Sequence, residues 1–159
     1  MKNKDIKTNA MRILEKENVK YEVFSFSSLN FENGKKVADE LNIAYELMYK
    51  TIILHSLKNY VVTVLPVNKE IDLKKVAKII GQKSVEPIDV NDIEKISGYI
   101  RGGCSPIGMK KLFPTIIHED ALLCEYIFVS GGKIGVDIKL SVDDLINITK
   151  AKVECVCKK

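Results

Sequence analysis

The stretch YKTIILHSLKNYVVTVL, residues 49–65, holds two runs of β-branched and aromatic side chains separated by a short link. The first run covers residues 49–55, and the second covers residues 60–65. Branched and aromatic side chains favour extended backbone because they pack well on the pleated surface of a sheet. Two such runs with only residues 56–59 between them predict an antiparallel β-hairpin.

Helical patterns lie on both sides of this hairpin. Residues 8–17 and 35–41 precede it and residues 73–80 follow it, with apolar side chains at helical spacing. The sequence predicts Asp72 as the N-cap of the third helix and Gly81 as the residue that ends it. The apolar side chains of this helix fall on one face, which leaves its lysines on the other.

The remaining patterns describe a chain in which hairpins and helices are mixed. Strands are predicted for residues 21–26, 84–88, 115–118, 125–130, 134–140 and 152–156, and helices for residues 89–97 and 142–149. Gly131-Gly132 is predicted to turn one strand into the next, and Ser141 to cap the last helix. This order favours an α+β fold, with helices around a mixed, largely antiparallel β-sheet, in a single domain of residues 1–159.

Length and composition are those of an ordinary soluble globular domain. The chain has 159 residues, of which 46% are hydrophobic and 29% charged. No apolar run approaches the roughly 18 residues that a membrane span requires, and MKNKDIKTNA at the start lacks an apolar signal region. A cytoplasmic location without membrane contact is expected. The net charge of +4 permits an anionic partner without requiring one.

The metal-ligating residue types are sparse and scattered. Four cysteines, at 104, 124, 155 and 157, follow no disulfide or zinc-site spacing, and the two histidines, His55 and His118, lie within apolar runs. We therefore expect no metal and no cofactor. Reduced thiols that pack as small apolar side chains account for the cysteines.

The stretch GYIRGGCSPIG, residues 98–108, concentrates four glycines and one proline in one loop. It lacks the Lys-Ser/Thr pair of a phosphate-binding loop, and no G-x-G-x-x-G motif is present, so nucleotide binding is disfavoured. Glycines permit positive φ angles and close approach to a ligand, and Pro106 stiffens the turn. Exposed N–H groups in such a loop can hold a carbonyl oxygen. A plain connecting loop explains the same residues equally well.

Individual side chains leave their roles open. Lys50 lies on a predicted strand, where spacing alone does not distinguish a site residue from a solvent-facing one. Cys104 has no histidine near it in sequence to act as a base, and Ser105 and Ser130 lack a G-x-S-x-G elbow. Asp137 fits either a surface charge or a partner for a lysine in a site.

Taken in order, several of these stretches resemble the YbaK/EbsC family of aminoacyl-tRNA deacylases, most closely its Cys-tRNA(Pro) deacylase type. Each stretch is a weak signal alone, but their order and separations match the family over nearly the full length. The stretches are residues 49–53, 73–78, 98–108, 110–111, 114–117 and 129–135. The resemblance implies a barrel-like α+β fold shared with the editing domain inserted in bacterial prolyl-tRNA synthetases.

The resemblance also assigns site residues. Lys50 matches the lysine regarded as essential in the family, and Thr51 adjoins it. Residues 102–106 match the G-x-x-x-P loop around the aminoacyl group, which brings in Gly102, Gly103, Ser105 and Pro106 as substrate-binding residues. Ser130 and Asp137 match pocket positions on either side of the Gly-Gly pair.

Two positions depart from the family. Cys104 stands where the loop usually carries an aliphatic residue, and Phe26 aligns with a tyrosine of some relatives. We therefore expect Cys104 to be dispensable and to form an apolar wall. A role for a tyrosine hydroxyl at position 26 is in doubt.

The implied reaction clears mischarged tRNA, chiefly Cys-tRNA(Pro) and also Cys-tRNA(Cys), with the cysteinyl thiol attacking its own ester. The protein then supplies positioning and charge stabilisation, which needs no histidine base. Prolyl-tRNA synthetase is the implied protein partner, and no DNA contact is expected. The expected tRNA phosphate contacts are Lys74, Lys75, Lys78, Lys110, Lys111 and Lys133.

Three alternatives remain open in the sequence. A deacylase for another mischarged amino acid, such as alanine on proline tRNA, would differ in pocket size, which the sequence does not show. A non-catalytic tRNA-binding module is disfavoured by the presence of Lys50 together with Gly102 and Pro106. A hydrolase or redox sensor that uses Cys104 lacks a base in the sequence.

Overall fold

The structure is a computed structural model that describes residues 7–27, 33–57 and 59–159. Helices and hairpins are mixed along the chain, as the sequence patterns predict. The described helices are α1 Asn9–Lys16, α2 Gly34–Leu41, α3 Leu73–Ile80, α4 Ile93–Ser97 and α5 Val142–Thr149. The described strands are β1 Tyr21–Ser25, β2 Tyr49–Ser56, β3 Asn59–Pro66, β4 Glu86–Pro87, β5 Thr115–His118, β6 Tyr126–Lys133, β7 Val136–Ser141 and β8 Lys152–Glu154.

The predicted hairpin forms the centre of a five-stranded mixed sheet. Its strands β2 and β3 pair antiparallel from Tyr49 opposite Pro66 to Ser56 opposite Asn59, which confirms the hairpin. The strand order is β4-β2-β3-β5-β8, and β5 pairs parallel with both of its neighbours. The sheet is mixed because β5 and β8 each pair parallel with a neighbour, after a connection that contains a helix.

A second sheet of three antiparallel strands, in the order β1-β7-β6, lies beside the first. A single bridge from Met48 to Phe128 connects the start of β2 to β6. Val129, Ile138 and Leu140 of this sheet share one core with Tyr49 and Ile53 of the first. The two sheets thus meet along the beginning of β2, and this junction positions the site.

The turn predicted at Gly131-Gly132 is wrong. Strand β6 continues through both glycines to Lys133, and the chain reverses at Ile134-Gly135. The pairing with β7 shifts between Ser130 and Lys133, and Gly132 has a φ of +97°. Gly131 and Gly132 are two extra residues on β6 between successive pairs with β7, and the positive φ of Gly132 accommodates this bulge, so the pair bends the ladder without ending it.

The helix ends follow the predicted capping chemistry. Asp72 Oδ1 accepts a hydrogen bond from the Lys75 N–H at 3.1 Å, and Ser141 Oγ accepts one from the Asp144 N–H at 3.0 Å. Gly81 ends α3 with a φ of +73°. Val76 and Ala77 of α3 pack with Leu54 and other buried residues of the first sheet. These contacts confirm which face of α3 points inward.

Three predicted elements are shorter in the structure. Strand β4 retains only Glu86–Pro87, and β8 ends at Glu154. The helix predicted for residues 89–97 divides into a 3-10 turn, Val90–Asp92, and α4. Within the described ranges, no helix is long and apolar enough to cross a membrane.

Candidate active site

A cavity of about 210 Å³ opens at the N-terminal end of β2, where the two sheets meet. Pockets for drug-sized ligands occupy roughly 300–1,000 Å³, so this one suits a smaller group. Five residues that the family resemblance selects line it: Lys50, Thr51, Gly102, Ser130 and Asp137. The other lining residues are Phe26, Gly34, Val37, Met48, Tyr49, Val67 and Cys104.

Strand pairing explains why two of these polar side chains meet. Ser130 of β6 lies directly opposite Asp137 of β7, immediately before the bulge. Directly opposite residues on adjacent strands place their side chains on the same face of the sheet. Six residues lie between them in sequence, but in space they are only one strand spacing apart.

The loop contributes to the cavity mainly through its backbone. Gly102 lines the cavity with a φ of +86°, a conformation that side-chain-bearing residues rarely adopt. Within the described ranges, no group accepts a backbone hydrogen bond from the Gly102 or Cys104 N–H, whereas the Gly103 N–H donates to the Ile100 carbonyl at 2.9 Å. The N–H groups of these two cavity-lining residues are thus without a backbone acceptor in the described part of the chain.

Three loop residues selected by the resemblance lie outside the cavity lining. Gly103 packs against the backbone of β6, where an added Cβ would lie 2.9 Å from the Ile134 nitrogen. Ser105 is fully buried, and its Oγ accepts a hydrogen bond from the Ile107 N–H at 3.2 Å. Pro106 is buried beside a separate cavity of about 220 Å³. These residues hold the shape of the loop rather than the walls of the site.

Of the described residues that line the cavity, Lys50 is the one lysine. Its side chain is partly buried, and this burial lowers the pKa of its ammonium, an effect to which the nearby charge of Lys35 adds. The Cys157 thiol and the Glu70 carboxylate oppose the shift. A partly desolvated ammonium interacts with a negative charge more strongly than a fully hydrated one does.

Asp137 is only 7% exposed, so the surface-charge interpretation of this residue is wrong. Burial raises the pKa of its carboxyl from 3.8 to about 7. Among the described residues, no side chain forms a hydrogen bond or ion pair with the carboxylate, which leaves it free for a ligand. The Thr51 hydroxyl, at the same cavity, is also buried without a hydrogen-bond partner in the described part of the chain.

The buried Asp137 carboxyl should make stability depend on pH. The unfolded chain loses this proton near pH 3.8 and the folded protein near pH 7, so the folded state is progressively disfavoured between those values. We compare the free energy of unfolding of Asp137→Asn with that of wild type. The difference, variant minus wild type, should increase by as much as about 4 kcal/mol between about pH 4 and about pH 8. Denaturant unfolding of both proteins at the two pH values measures it. If the difference between variant and wild type is the same at both pH values, the raised pKa of Asp137 is contradicted.

Cys104 lines the cavity but is not set up as a nucleophile. Burial raises the pKa of its thiol to about 11, against a smaller lowering by a hydrogen bond with Ser97. Neither histidine lines the cavity: His118 Nδ1 accepts from the Val156 N–H at 3.2 Å, and His55 pairs with Glu86. A protonated thiol without a base fits the expectation that it forms an apolar wall.

The lysines expected to contact tRNA divide into three places. Lys74 and Lys78 are exposed on α3, but Lys75 donates from Nζ to the Cys157 carbonyl at 2.9 Å and is already engaged. Lys110 and Lys111 line a groove at the other end of the β2–β3 hairpin. Lys133 is exposed. It lies next to the loop, since its Cα would be 3.0 Å from a Cβ added to Gly103.

The sequence analysis missed the contribution of α2. Gly34, the first residue of this helix, lines the cavity together with Val37. Asn33 caps the helix by accepting from the Lys35 and Lys36 N–H groups at 3.1 and 3.2 Å. The positive end of the helix dipole therefore lies at the cavity. In the sequence, the signal for the start of this helix was the pair Asn33-Gly34, which comes just before the helical pattern.

Several known proteins are similar to this chain in sequence or in fold. Residues 32–148 match the family model of the aminoacyl-tRNA editing domain. The chain is 43% identical over 148 residues to "Putative Cys-tRNA(Pro)/Cys-tRNA(Cys) deacylase EbsC" of Enterococcus faecalis (strain ATCC 700802 / V583), covering 92% of this chain and 90% of that one.

Two solved structures have the same fold at low sequence identity. One, "a putative trans-editing enzyme for prolyl tRNA synthetase", matches with a TM-score of 0.83 at 18% identity over 97% of this chain and 99% of that one. The other, "hypothetical protein APE2540", matches with a TM-score of 0.85 at 16% identity over 94% and 99%. These matches confirm the predicted α+β fold. With the family match over residues 32–148, they make this chain a member of the aminoacyl-tRNA editing domain family.

Proposed function

We propose that this chain, an aminoacyl-tRNA deacylase of the editing-domain family, removes cysteine from mischarged tRNA, chiefly from Cys-tRNA(Pro) and also from Cys-tRNA(Cys). The observation that carries the proposal is the convergence of Lys50, Gly102, Ser130 and Asp137 on one small cavity. The relative that is 43% identical carries both substrates in its name, which supports the same choice here.

The dimensions of the cavity favour the aminoacyl group as its occupant. At about 210 Å³ it accepts a small side chain with its ester, whereas the body of a tRNA has to remain outside. Its apolar walls, Phe26, Val37 and Val67, suit a thiol better than a charged side chain. Selection of a small, weakly polar amino acid follows from these walls.

The chemistry uses the thiol of the substrate. Its sulfur forms a bond to the ester carbonyl carbon, the bond from that carbon to the ribose oxygen breaks, and the thiol proton ends on the ribose oxygen. The products are free tRNA and a cyclic thioester, which water opens to cysteine. This route requires no nucleophile from the protein, consistent with the protonated, apolar environment of Cys104.

The residues of the cavity then act by position and charge. The ammonium of Lys50 stabilises the negative charge that develops on the substrate oxygens, and the free N–H groups of Gly102 and Cys104 hold the carbonyl oxygen. Asp137, whose carboxyl loses its proton near pH 7, receives the α-ammonium group of the amino acid as the carboxylate, with the Thr51 hydroxyl, which has no partner among the described residues, at the same cavity. Groups that are positioned before the reaction need little reorganisation as charge develops.

The tRNA is held by lysines outside the cavity. Lys133 lies next to the loop, and Lys74 and Lys78 are exposed on α3. Contacts of this kind are independent of sequence and weaken steeply with salt. We propose that prolyl-tRNA synthetase acts as a partner and supplies the tRNA selectivity that such lysines lack.

Deacylation assays with matched substrates test the proposal. Purified protein should hydrolyse Cys-tRNA(Pro) and leave Pro-tRNA(Pro) intact, and Ala-tRNA(Pro) tests the alternative substrate. A further comparison uses tRNA(Pro) charged with serine, which replaces the thiol by a hydroxyl of similar size. Comparable rates for the cysteinyl and seryl esters would exclude attack by the substrate thiol, and no turnover of any mischarged tRNA would overturn the enzymatic function.

Cys104→Ala tests the passive role of the loop thiol. We expect a rate of Cys-tRNA(Pro) deacylation within about threefold of wild type, because the substrate supplies the attacking sulfur and the Cys104 thiol is protonated. Single-turnover deacylation measures the rate, and filter binding of tRNA provides the control. A collapse in rate with tRNA binding intact would reinstate Cys104 as a nucleophile.

A further inference from the structure

A second, larger depression lies at the opposite end of the β2–β3 hairpin from the catalytic cavity. This groove has a volume of about 680 Å³. Tyr60 lines it, whereas Lys50 pairs with Leu65 five residues along β3, so the two sites are separated by roughly 17 Å of strand. The apolar floor of the groove includes Tyr60, Ile79, Ile80, Ile96 and Phe113.

The edge of this groove carries charge of one sign. Lys95, Lys110, Lys111 and Lys152 line it, and none of its described lining residues is an aspartate or a glutamate. Among the described residues, no carboxylate pairs with any of the four ammonium groups; Lys110 donates only to the Lys95 carbonyl at 3.0 Å. The lysine-rimmed groove therefore fits an occupant with apolar side chains next to negative charges.

The same chain displays a segment with this chemistry. Residues 119–126, which we call the leucine turn, read EDALLCEY and begin with the 3-10 turn Glu119–Leu123. Leu122 and Leu123 are 62% and 85% exposed, and Tyr126 is 44% exposed. Glu119 and Glu125 are exposed too, and within the described ranges neither forms an ion pair.

We propose that the leucine turn of one copy of this protein binds in the lysine-rimmed groove of a second copy. The two exposed leucines would cover the apolar floor, and Glu119 and Glu125 would meet the lysines. Each surface supplies what the other lacks, since one holds unpaired cations and the other unpaired anions.

The floor of the groove favours a protein segment over a strand of tRNA. Aliphatic side chains form most of its apolar surface. Its two aromatic rings, Tyr60 and Phe113, pack edge to face with centroids 5.7 Å apart and planes at 68°. A base-binding surface requires exposed flat ring faces on which bases stack. The lysines by themselves would also fit the phosphates of a nucleic acid. The aliphatic floor, however, fits leucine side chains better than it fits bases.

A single chain cannot make this contact with itself. Pro114, immediately before β5, lines the groove, and Glu119, immediately after β5, begins the leucine turn. The two surfaces therefore lie at opposite ends of the same strand. A contact between them must join two copies and is heterologous, because different surfaces meet.

Sedimentation velocity over a range of concentrations tests the association. The wild-type weight-average sedimentation coefficient should rise with concentration. Leu123→Asp and Lys111→Glu should each raise the dissociation constant more than about tenfold. The control is Val23→Asp, which changes an exposed apolar residue on β1 that belongs to neither the groove lining nor the leucine turn, and should associate as wild type does. A wild-type protein that stays monomeric, or Leu123→Asp that associates normally, would overturn the proposal.

Mixing the two variants distinguishes this contact from other forms of association. Leu123→Asp retains an intact groove, and Lys111→Glu retains an intact leucine turn. Each alone should be monomeric, but an equimolar mixture should form heterodimers. The double variant Lys111→Glu with Glu119→Lys should recover association by exchanging the two charges. A monomeric mixture, or Lys111→Glu that weakens only tRNA binding, would assign the groove to another occupant and refute the proposal.

Discussion

Lys50→Ala should lower the rate of Cys-tRNA(Pro) deacylation by about 100- to 1,000-fold while the protein stays folded. Removal of one preorganised group that stabilises developing charge typically costs this much. Lys50 is partly desolvated, and among the described residues no other ammonium lines the cavity; the charge of Lys35 is near, but Lys35 is not a lining residue. The loss should fall on the single-turnover rate, because the charge develops only in the transition state.

Matched variants separate the charge of Lys50 from its packing. Lys50→Met keeps an unbranched apolar stem of similar length and should be as inactive as Lys50→Ala. Lys16→Ala removes an exposed lysine at the end of α1, away from the cavity, and should retain the wild-type rate. Circular dichroism and thermal unfolding check the fold of each. A wild-type rate for Lys50→Met would remove the charge of Lys50 from the mechanism.

Gly103→Ala is the second substitution for which we expect a large effect. The added Cβ would lie 2.9 Å from both the Ile134 nitrogen and the Lys133 carbonyl carbon, which belong to backbone and cannot rotate away. The loop has to move off β6, taking the neighbouring Gly102 with it. Displacement of a positioning group by about 1 Å can cost about 100-fold, and we expect a loss of at least tenfold in deacylation.

The same substitution should also lower stability. Overpacking of this kind typically costs about 1–3 kcal/mol. Gly81→Ala is the control, because its Cβ would meet nothing within 4 Å while its φ of +73° still imposes a cost of about 1 kcal/mol. It should therefore destabilise the protein without changing the rate. Equal activity of Gly103→Ala and wild type would show that the contact with β6 does not position the loop.

Local sequence patterns were sufficient for the elements of the fold. The hairpin of residues 49–65 forms as predicted, since branched side chains and a short link specify it without help from distant residues. The caps Asp72 and Ser141 act through hydrogen bonds within one turn. The Gly131-Gly132 pair was misassigned because a glycine pair permits a turn and a bulge equally well, and only pairing with β7 decides between them.

The site depended on contacts between distant parts of the chain. From the residues alone, a solvent-facing Lys50 was favoured over a site residue, and family resemblance was needed to select it. The contribution of α2 was missed, because Gly34 reaches the cavity only when the helix packs beside Val67. The burial of Asp137 was also outside the sequence patterns, since a single aspartate in a strand has the same local signature in either environment.

By itself, the sequence determined the helices and strands, the caps and the family to which the chain belongs. These follow from interactions among neighbours and from an ordered set of motifs. Only the tertiary structure decided which loop residues line the cavity, why burial raises the pKa of Asp137 to about 7, and that the leucine turn and the lysine-rimmed groove lie at opposite ends of β5. Burial and strand pairing join residues far apart in the chain, and no local pattern encodes the dielectric environment that results.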